Sequence, residues 1–274
     1  MTEPSVWKDR LERILGSLQG HNPTELINAI RDLGIAMGHD AGEGLLDAHP
    51  ELFSYRPALT AAFGKMVQAQ DTAEIRQMLD QDLDGPASFG RIAAGKTSIG
   101  VLSSKDAYNR LDEVFDHVDF DNCRRAVMVG CGGRPFTMFR IHDQTTVPEI
   151  IGLDIVPEAV ETANRLAAKL GYMRMRAELC DGCDYDYGGA QVVYVASMVS
   201  PKAAVVSRIA DTAPDTVQIV LWEPVSLGRL WAENAERTLD PRLEVIGRTS
   251  ISRNMTRDVF VTRRGGSSST RQLG

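Results

Sequence analysis

The spacing of hydrophobic positions changes character near residue 120. Before that point apolar residues recur at helical spacing, as they do at Leu26, Ile27, Ile30, Leu33 and Met37. The segment Asn22-Pro-Thr-Glu25 places an Asn N-cap, a first-turn proline and a first-turn glutamate ahead of that stripe, which predicts a helix start. After residue 120 short apolar runs alternate with helical segments. This alternation predicts an α/β fold with a mainly parallel sheet.

The individual elements follow from the same pattern. Further helices are predicted over residues 57–69, 72–83 and 106–118, where Met and Leu stripes are interpreted as packing. Strands are predicted over residues 125–129, 150–154, 174–179, 191–196, 216–222, 243–252 and 257–263. No helix separates the last two strands, so we expect them to form a C-terminal hairpin.

The domain boundaries are set by glycine and by composition. A glycine-rich stretch over residues 84–105 predicts a flexible connector or lid. The tail from Gly265 onward has few apolar residues and is predicted to be disordered. We therefore expect a helical cap over residues 1–118, a sheet domain over residues 119–264 and a tail over residues 265–274.

Composition narrows the class of protein. The 274 residues are 43% hydrophobic, enough for one domain or for one domain with a cap. A net charge of −7 and a pI near 5.3 argue against nucleic acid or an anionic membrane as the main partner. The sequence has no apolar run of membrane-spanning length and no secretory signal, so the expected location is the cytoplasm.

A glycine-rich turn follows the first predicted strand. Four apolar residues, Ala126-Val-Met-Val, lead into Gly130-Cys131-Gly132, and a helix can start near Thr137. Such a turn lets backbone N–H groups approach an anionic or zwitterionic ligand. Asp154 ends the next strand, 24 positions after Gly130, where a βαβ nucleoside site places its partner for ribose hydroxyls. The alternative is a turn that only packs a helix on a sheet.

Two departures from the dinucleotide pattern change the expected nucleoside. Pro135 stands where the third glycine would be, and its fixed φ and missing donor do not suit a tight pyrophosphate cradle. Asp181 ends the third strand, where a carboxylate can accept from an adenine amino group. A ribose acid after the second strand and an adenine acid after the third indicate S-adenosylmethionine (SAM) as the ligand.

The cysteine pair Cys180-x-x-Cys183 has two readings. It could be half of a zinc site or a redox pair. The sequence has no second such pair and no nearby His pair to complete a tetrahedral set, and the segment lies in the predicted adenine loop. We therefore predict no metal site.

The carboxyl ends of parallel strands meet at one edge of a sheet, which is where ligands bind in open α/β folds. Ala196 and Ser197, after the fourth strand, are small enough for a ligand to lie over them. Glu223, after the fifth, either faces the reacting groups or holds backbone N–H groups together. Trp222 and Trp231 are interpreted as packing residues.

The glycine turn also resembles a known family. Gly130-x-Gly132-x-x-Pro135-x-Thr137 is similar to the Gly-x-Gly-x-x-Pro-x-Thr loop of the nicotianamine synthase family. Three further segments resemble that family, namely Asp106-Ala-Tyr108-Asn-Arg-Leu111, Asp154-Ile-Val-Pro-Glu-Ala159 and Gln191-Val-Val-Tyr-Val-Ala-Ser-Met-Val199. The resemblance covers the chain from about residue 106 to residue 231.

This resemblance implies a Rossmann-like class I SAM-methyltransferase sheet and transfer of the 3-amino-3-carboxypropyl group, with release of methylthioadenosine. It implies that Tyr108 covers the sulfonium end of SAM, and a tyrosine face near that cation is physically sensible. The alternative for Tyr108 is a residue that seals a helix–sheet contact. The predicted SAM-binding residues are Tyr108, Gly130, Cys131, Gly132, Thr137, Asp154, Ile155, Asp181, Ala196 and Ser197.

The residues expected on the acceptor side differ from the pattern of the nicotianamine synthase family. Ser103-Ser104-Lys105 replaces the Pro-Tyr-Tyr of plant members, and no residue clearly matches the acceptor-activating glutamate. Glu74 and Asp80 are the nearest acids. The catalytic candidates are Tyr108, Glu223 and Asp80.

Several reactions therefore stay open. The acceptor is a small-molecule amine or phenol, as in metallophore or peptide-antibiotic biosynthesis, or SAM's own α-amino group, which would give azetidine-2-carboxylate. Methyl transfer and a non-catalytic SAM-binding regulator are the further alternatives. A homodimer is compatible with the sequence.

Overall fold

The structure is a computed structural model that describes residues 4–16, 22–80 and 111–265. Three sequence predictions fall outside the described residues. They concern the connector over residues 84–105, Tyr108, and the tail beyond Gly265. The cap helices precede residues 81–110, and the sheet domain follows them.

Four helices form the described cap, with a 3₁₀ turn over Pro50–Tyr55. They are α1 (Pro4–Gly16), α2 (Pro23–Met37), α3 (His39–Ala48) and α4 (Arg56–Asp80). The predicted N-cap is confirmed, because the Asn22 side chain accepts from the backbone N–H of Thr24 at 2.9 Å. The buried face of α2 carries four of the five residues of the predicted stripe.

The prediction of two helices over residues 57–69 and 72–83 was wrong, because α4 is continuous from Arg56 to Asp80. The junction Gln70-Asp71-Thr72 contains neither glycine nor proline to end a helix. The Thr72 hydroxyl donates to the Gln68 carbonyl at 2.8 Å, one turn earlier, so this polar residue is accommodated within the helix.

Within the described residues, seven strands form one mixed sheet in the order β3-β2-β1-β4-β5-β7-β6. They are β1 (Arg125–Val129), β2 (Glu149–Asp154), β3 (Met175–Leu179), β4 (Val192–Val195), β5 (Gln218–Pro224), β6 (Leu243–Arg248) and β7 (Thr256–Arg263). The helices of this domain are α5 (Asp112–His117), α6 (Phe136–Gln144), α7 (Pro157–Leu170) and α8 (Lys202–Thr212). The first five strands are parallel, and β7 runs antiparallel between β5 and β6. The expected α/β fold, with its C-terminal hairpin, is confirmed.

The predicted strand over residues 243–252 is too long, because β6 ends at Arg248. A register shift between Val245 and Gly247 marks an irregularity in its pairing with β7. The chain then turns back through Met255, whose φ of 55° lies in the left-handed region.

Both faces of the sheet are covered. Apolar side chains from α5, α6 and α7 pack on one face, and those of α8 pack on the other. A third apolar cluster forms inside the cap. It also takes in residues that follow β5, among them Leu227 and Trp231, and the Trp231 ring stacks on Phe63 with centroids 5.6 Å apart. The expectation that Trp231 is a packing residue is therefore confirmed.

Charged residues also join the cap to the sheet domain. Glu43 and Asp47 of α3 form ion pairs with Arg229 and Arg237, which follow β5. The backbone N–H of Ser226 donates to the Glu43 carboxylate at 2.6 Å. These contacts fix α3 against the segment after β5. Among the described helices, none is both long and apolar enough to span a bilayer.

Candidate active site

The glycine loop comprises residues 130–135, between β1 and α6. It contains two residues whose φ lies in the left-handed region. Gly130 has a φ of 75° and Gly132 a φ of 64°. A Cβ added to Gly130 would lie 2.7 Å from Val199 Cγ2 and 3.3 Å from Ala196 Cβ. The segment after β4 therefore packs directly against the glycine loop, and a side chain at position 130 would separate the two.

Asp154 lies at the centre of the predicted crevice. One of its carboxylate oxygens accepts from the backbone N–H of Gly132 at 2.8 Å, and the other accepts from Val156 at 3.0 Å. Each oxygen has a second lone pair, and the residue is partly exposed. The carboxylate is thus fixed beside the loop with acceptor capacity left for hydroxyl donors.

The ends of β2 and β3 expose apolar side chains between two acids. Ile155 is 65% exposed and Leu179 is 59% exposed. Leu179 is the register partner of Asp154, and the exposed Asp181 follows two residues later. Asp181 accepts from the backbone N–H of Cys183 at 2.8 Å. Exposed apolar surface beside carboxylates suits a planar heterocycle with polar edges, such as a purine nucleoside.

Cys131 takes part in the loop through its backbone. Its N–H donates to the Leu153 carbonyl at 3.1 Å, and the residue is 3% exposed. The thiol packs over Gly152, where an added Cβ would lie 2.8 Å from Sγ. Burial raises the pKa of this thiol to about 12, so it is protonated at neutral pH.

Cys180 and Cys183 are free and partly buried, and burial raises the pKa of both thiols. Across the described ranges, no group of three or more His, Cys, Asp or Glu residues could hold a metal ion.

Three small or polar residues of the predicted set are buried. Ala196 and Ser197 are 8% and 7% exposed, and the Ala196 N–H donates to the Val129 carbonyl at 3.0 Å. Thr137 is buried in the first turn of α6.

Glu223 is completely buried at the end of β5. One carboxylate oxygen accepts from the backbone N–H of Ala235 at 3.1 Å and lies 3.6 Å from the Lys202 ammonium nitrogen, which donates to the Trp222 carbonyl. Burial raises the pKa of Glu223 to about 6, although Lys202 opposes the shift. These contacts are those expected if Glu223 holds backbone N–H groups together, which is the second of its two predicted roles.

Acids on α4 are close to the glycine loop, but Asp80 is not the one that contacts it. Asp80 is an exposed residue of the same helix. Glu74, which is 6% exposed, and Asp71 both form ion pairs with Arg134 of the glycine loop, the latter at 2.8 Å. Burial lowers the pKa of Arg134 and raises that of Asp71.

Sequence reasoning named Glu74 as a nearby acid but did not select it, and it missed Arg134 and Asp71. The available signal was a pair of acids three residues apart on a helix, which face the same side, and an arginine inside a glycine turn. That pattern does not reveal that the two segments meet.

Comparison with known proteins supports the fold. No protein-family model and no curated protein sequence matches the chain. Among solved structures, a glutamate-to-glutamine variant of the nicotianamine synthase MtNAS in complex with S-adenosylmethionine has a TM-score of 0.69 and 16% identity. MtNAS in complex with MTA and tNA has a TM-score of 0.70 and 15% identity. In both cases the match covers 94% of this chain and 98% of the other.

The mitomycin 7-O-methyltransferase MmcR gives a lower TM-score of 0.49, at 16% identity and with 95% of each chain covered. The TM-scores of 0.69 and 0.70 with MtNAS confirm the resemblance to nicotianamine synthase at the level of the fold, which is a class I SAM-methyltransferase fold with helices before the sheet.

Proposed function

We propose that this chain is a SAM-dependent transferase that moves the 3-amino-3-carboxypropyl group of SAM and releases methylthioadenosine. The observation that carries this proposal is the extent of the likeness to MtNAS, which covers 94% of the chain. It includes the cap as well as the nucleoside-binding sheet. We propose that the cap forms the acceptor side, so its likeness bears on the reaction as well as on the ligand.

The donor site in this proposal is the crevice beside the glycine loop. Asp154 accepts from the ribose hydroxyls and Asp181 from the adenine amino group. Ile155 and Leu179 provide the apolar surface that a purine covers, and their exposure of 65% and 59% supports this role. Tyr108 is proposed to cover the sulfonium, a role that rests on its resemblance to the family tyrosine.

Glu74 replaces Asp80 as our candidate for the acid on the acceptor side. Glu74 is buried and paired with the glycine loop, whereas Asp80 is an exposed residue of the same helix. A carboxylate next to the donor loop can orient an amine and take its proton, which the exposed Asp80 is poorly placed to do.

The chemistry requires attack in line at one particular carbon of the sulfonium. An amine nitrogen attacks the γ-carbon of the methionine moiety, and the C–S bond breaks with its electron pair moving to sulfur. The sulfonium charge is thereby neutralised in methylthioadenosine, and the proton lost from nitrogen passes to Glu74. Positioning of the nucleophile at the γ-carbon rather than the methyl decides the product.

We expect the purified protein to convert SAM to methylthioadenosine and not to S-adenosylhomocysteine. The measurement is mass spectrometry of the nucleoside products, with SAM alone and then with amino-acid or phenolic acceptors added. SAM also breaks down to methylthioadenosine without catalysis, so a reaction without enzyme is subtracted.

The products separate the candidate reactions. A cyclic C4 amino acid formed from SAM alone indicates self-cyclisation, whereas turnover only with an added acceptor indicates intermolecular transfer. S-Adenosylhomocysteine would overturn the proposal in favour of methyl transfer. Tight binding of SAM without any turnover would identify a regulator.

We also expect Asp154→Ala to weaken SAM binding by about 1–3 kcal/mol, because the ribose hydroxyls lose their charged acceptor. Isothermal titration calorimetry with SAM and with methylthioadenosine measures the loss. Asp154→Asn, which keeps one acceptor oxygen for the loop, tests whether the effect arises from loop collapse. The exposed Asp215→Ala is the matched control. Unchanged affinity in Asp154→Ala would remove the ribose assignment.

A further inference from the structure

The guanidinium of Arg134 is held on three sides. One terminal nitrogen pairs with Asp71 at 2.8 Å and the other pairs with Glu74. Its central carbon lies 4.5 Å from the centroid of the Phe136 ring. Arg134 and Glu74 expose only 12% and 8% of their side chains, and Asp71 exposes 23%. This acid–arginine–acid group (Asp71, Arg134, Glu74) is therefore largely removed from solvent.

The group joins the two halves of the proposed site. Arg134 belongs to the glycine loop, and the acids lie three residues apart on α4 of the cap. The Ile75 side chain of α4 also packs against the loop, since a Cβ added to Gly133 would lie 3.5 Å from Ile75 Cδ1. The acceptor-side helix and the donor loop thus meet at these three charges.

Stability alone gives a weak reason for such a group. Withdrawing three charges from water is costly, and well-packed apolar residues often replace a buried ionic group without loss of stability. Here two carboxylates flank one guanidinium. The arrangement is better explained by a requirement to hold a carboxylate in one place.

We propose that Arg134 is a positioning residue that fixes the Glu74 carboxylate beside the donor loop, with Asp71 holding the guanidinium in its orientation. This inference rests on the proposed function. Arg134 keeps the same distance between Glu74 and the glycine loop whichever acceptor is bound. Loss of Arg134 frees the carboxylate to take other rotamers, and a misplacement of about 1 Å can cost roughly 10²-fold in rate.

The test compares Arg134→Leu, Arg134→Lys and the control Arg140→Leu. Arg140 resembles Arg134 in its surroundings, because it pairs with an acid, Asp112, and lies 5.9 Å from the ring centroid of Phe115. We expect Arg134→Leu to lower kcat up to about 10²-fold. Affinity for methylthioadenosine should stay unchanged, Arg134→Lys or added guanidinium should recover part of kcat, and Arg140→Leu should have normal turnover.

A second variant separates positioning from folding. With leucine at all three positions of the acid–arginine–acid group, we expect a melting temperature equal to or above that of the parent protein, together with loss of turnover. Normal kcat in Arg134→Leu would overturn the inference. The inference would also be overturned if Arg134→Leu lowered the melting temperature and weakened methylthioadenosine binding in proportion. The acid–arginine–acid group would then be structural.

The parent protein is assayed in parallel. If it releases no methylthioadenosine from SAM under any acceptor condition, the proposed function fails and this inference fails with it. If the parent protein turns over and Arg134→Leu matches it, only the positioning role is overturned.

Discussion

Glu74→Gln is expected to lower turnover about 10²–10⁴-fold while leaving methylthioadenosine affinity near that of the parent protein. The amide keeps the shape of the side chain and one acceptor oxygen, but it cannot take the proton of the attacking amine. Glu74 is 6% exposed and paired with Arg134, so water is poorly placed to substitute for it. The measurement is kcat from methylthioadenosine release, with affinity determined by calorimetry.

Asp80→Asn is the matched control for that result. Asp80 lies on the same helix and carries the same charge, but it is exposed. Near-normal turnover is expected, because surface substitutions away from a site have small effects. Full activity in Glu74→Gln combined with loss of activity in Asp80→Asn would return the acceptor role to Asp80.

Lys202→Met is expected to destabilise the fold by about 3–5 kcal/mol, because the Glu223 carboxylate would be left buried without its cation. Both side chains are completely buried, and their nearest charged atoms are 3.6 Å apart. Urea unfolding at neutral pH measures the change. The double variant Lys202→Met with Glu223→Gln should recover much of the loss, since no unpaired charge remains.

The pH dependence of Lys202→Met provides an independent check. Burial already raises the folded-state pKa of Glu223 to about 6, above its ordinary value of 4.5. A raised carboxyl pKa disfavours the folded state at high pH, and this penalty disappears as the pH falls from above 6 to below 4.5. Because Lys202 opposes that shift, its removal should raise the pKa of Glu223 further, and Lys202→Met should regain stability relative to the parent protein on mild acidification. A constant difference between pH 8 and pH 5 would contradict this account.

The strands and the glycine loop could be predicted from the sequence because their causes are local. An apolar run such as Ala126–Val129, followed by glycine, specifies a buried strand and a turn with little help from the rest of the chain. The ends of strands likewise predicted where Asp154 and Asp181 lie. Local pattern was sufficient for the strands and the loop on which the proposed donor site rests.

The acceptor side could not be predicted in this way. The contact between Glu74 and Arg134 joins residues 60 positions apart, and it depends on how the cap docks on the sheet.

Glu223 shows a second limit of prediction from the sequence. A strand end places a residue at the edge of the sheet, but alternation along the strand decides its face. Trp222 packs on the side of α6 and α7, and Glu223 contacts Lys202 of α8.

The apolar cluster that the cap shares with the segment after β5 makes these two parts of the chain a single packing unit. Leu227, Leu230 and Trp231 belong to the sheet domain in sequence, but they are buried among cap residues such as Leu46 and Leu59. A grafted cap that brought new acceptor chemistry would have to carry residues 225–232 with it. The sheet domain cut free of its helices would present those side chains to water, and we expect it to aggregate rather than serve as a minimal nucleoside-binding module.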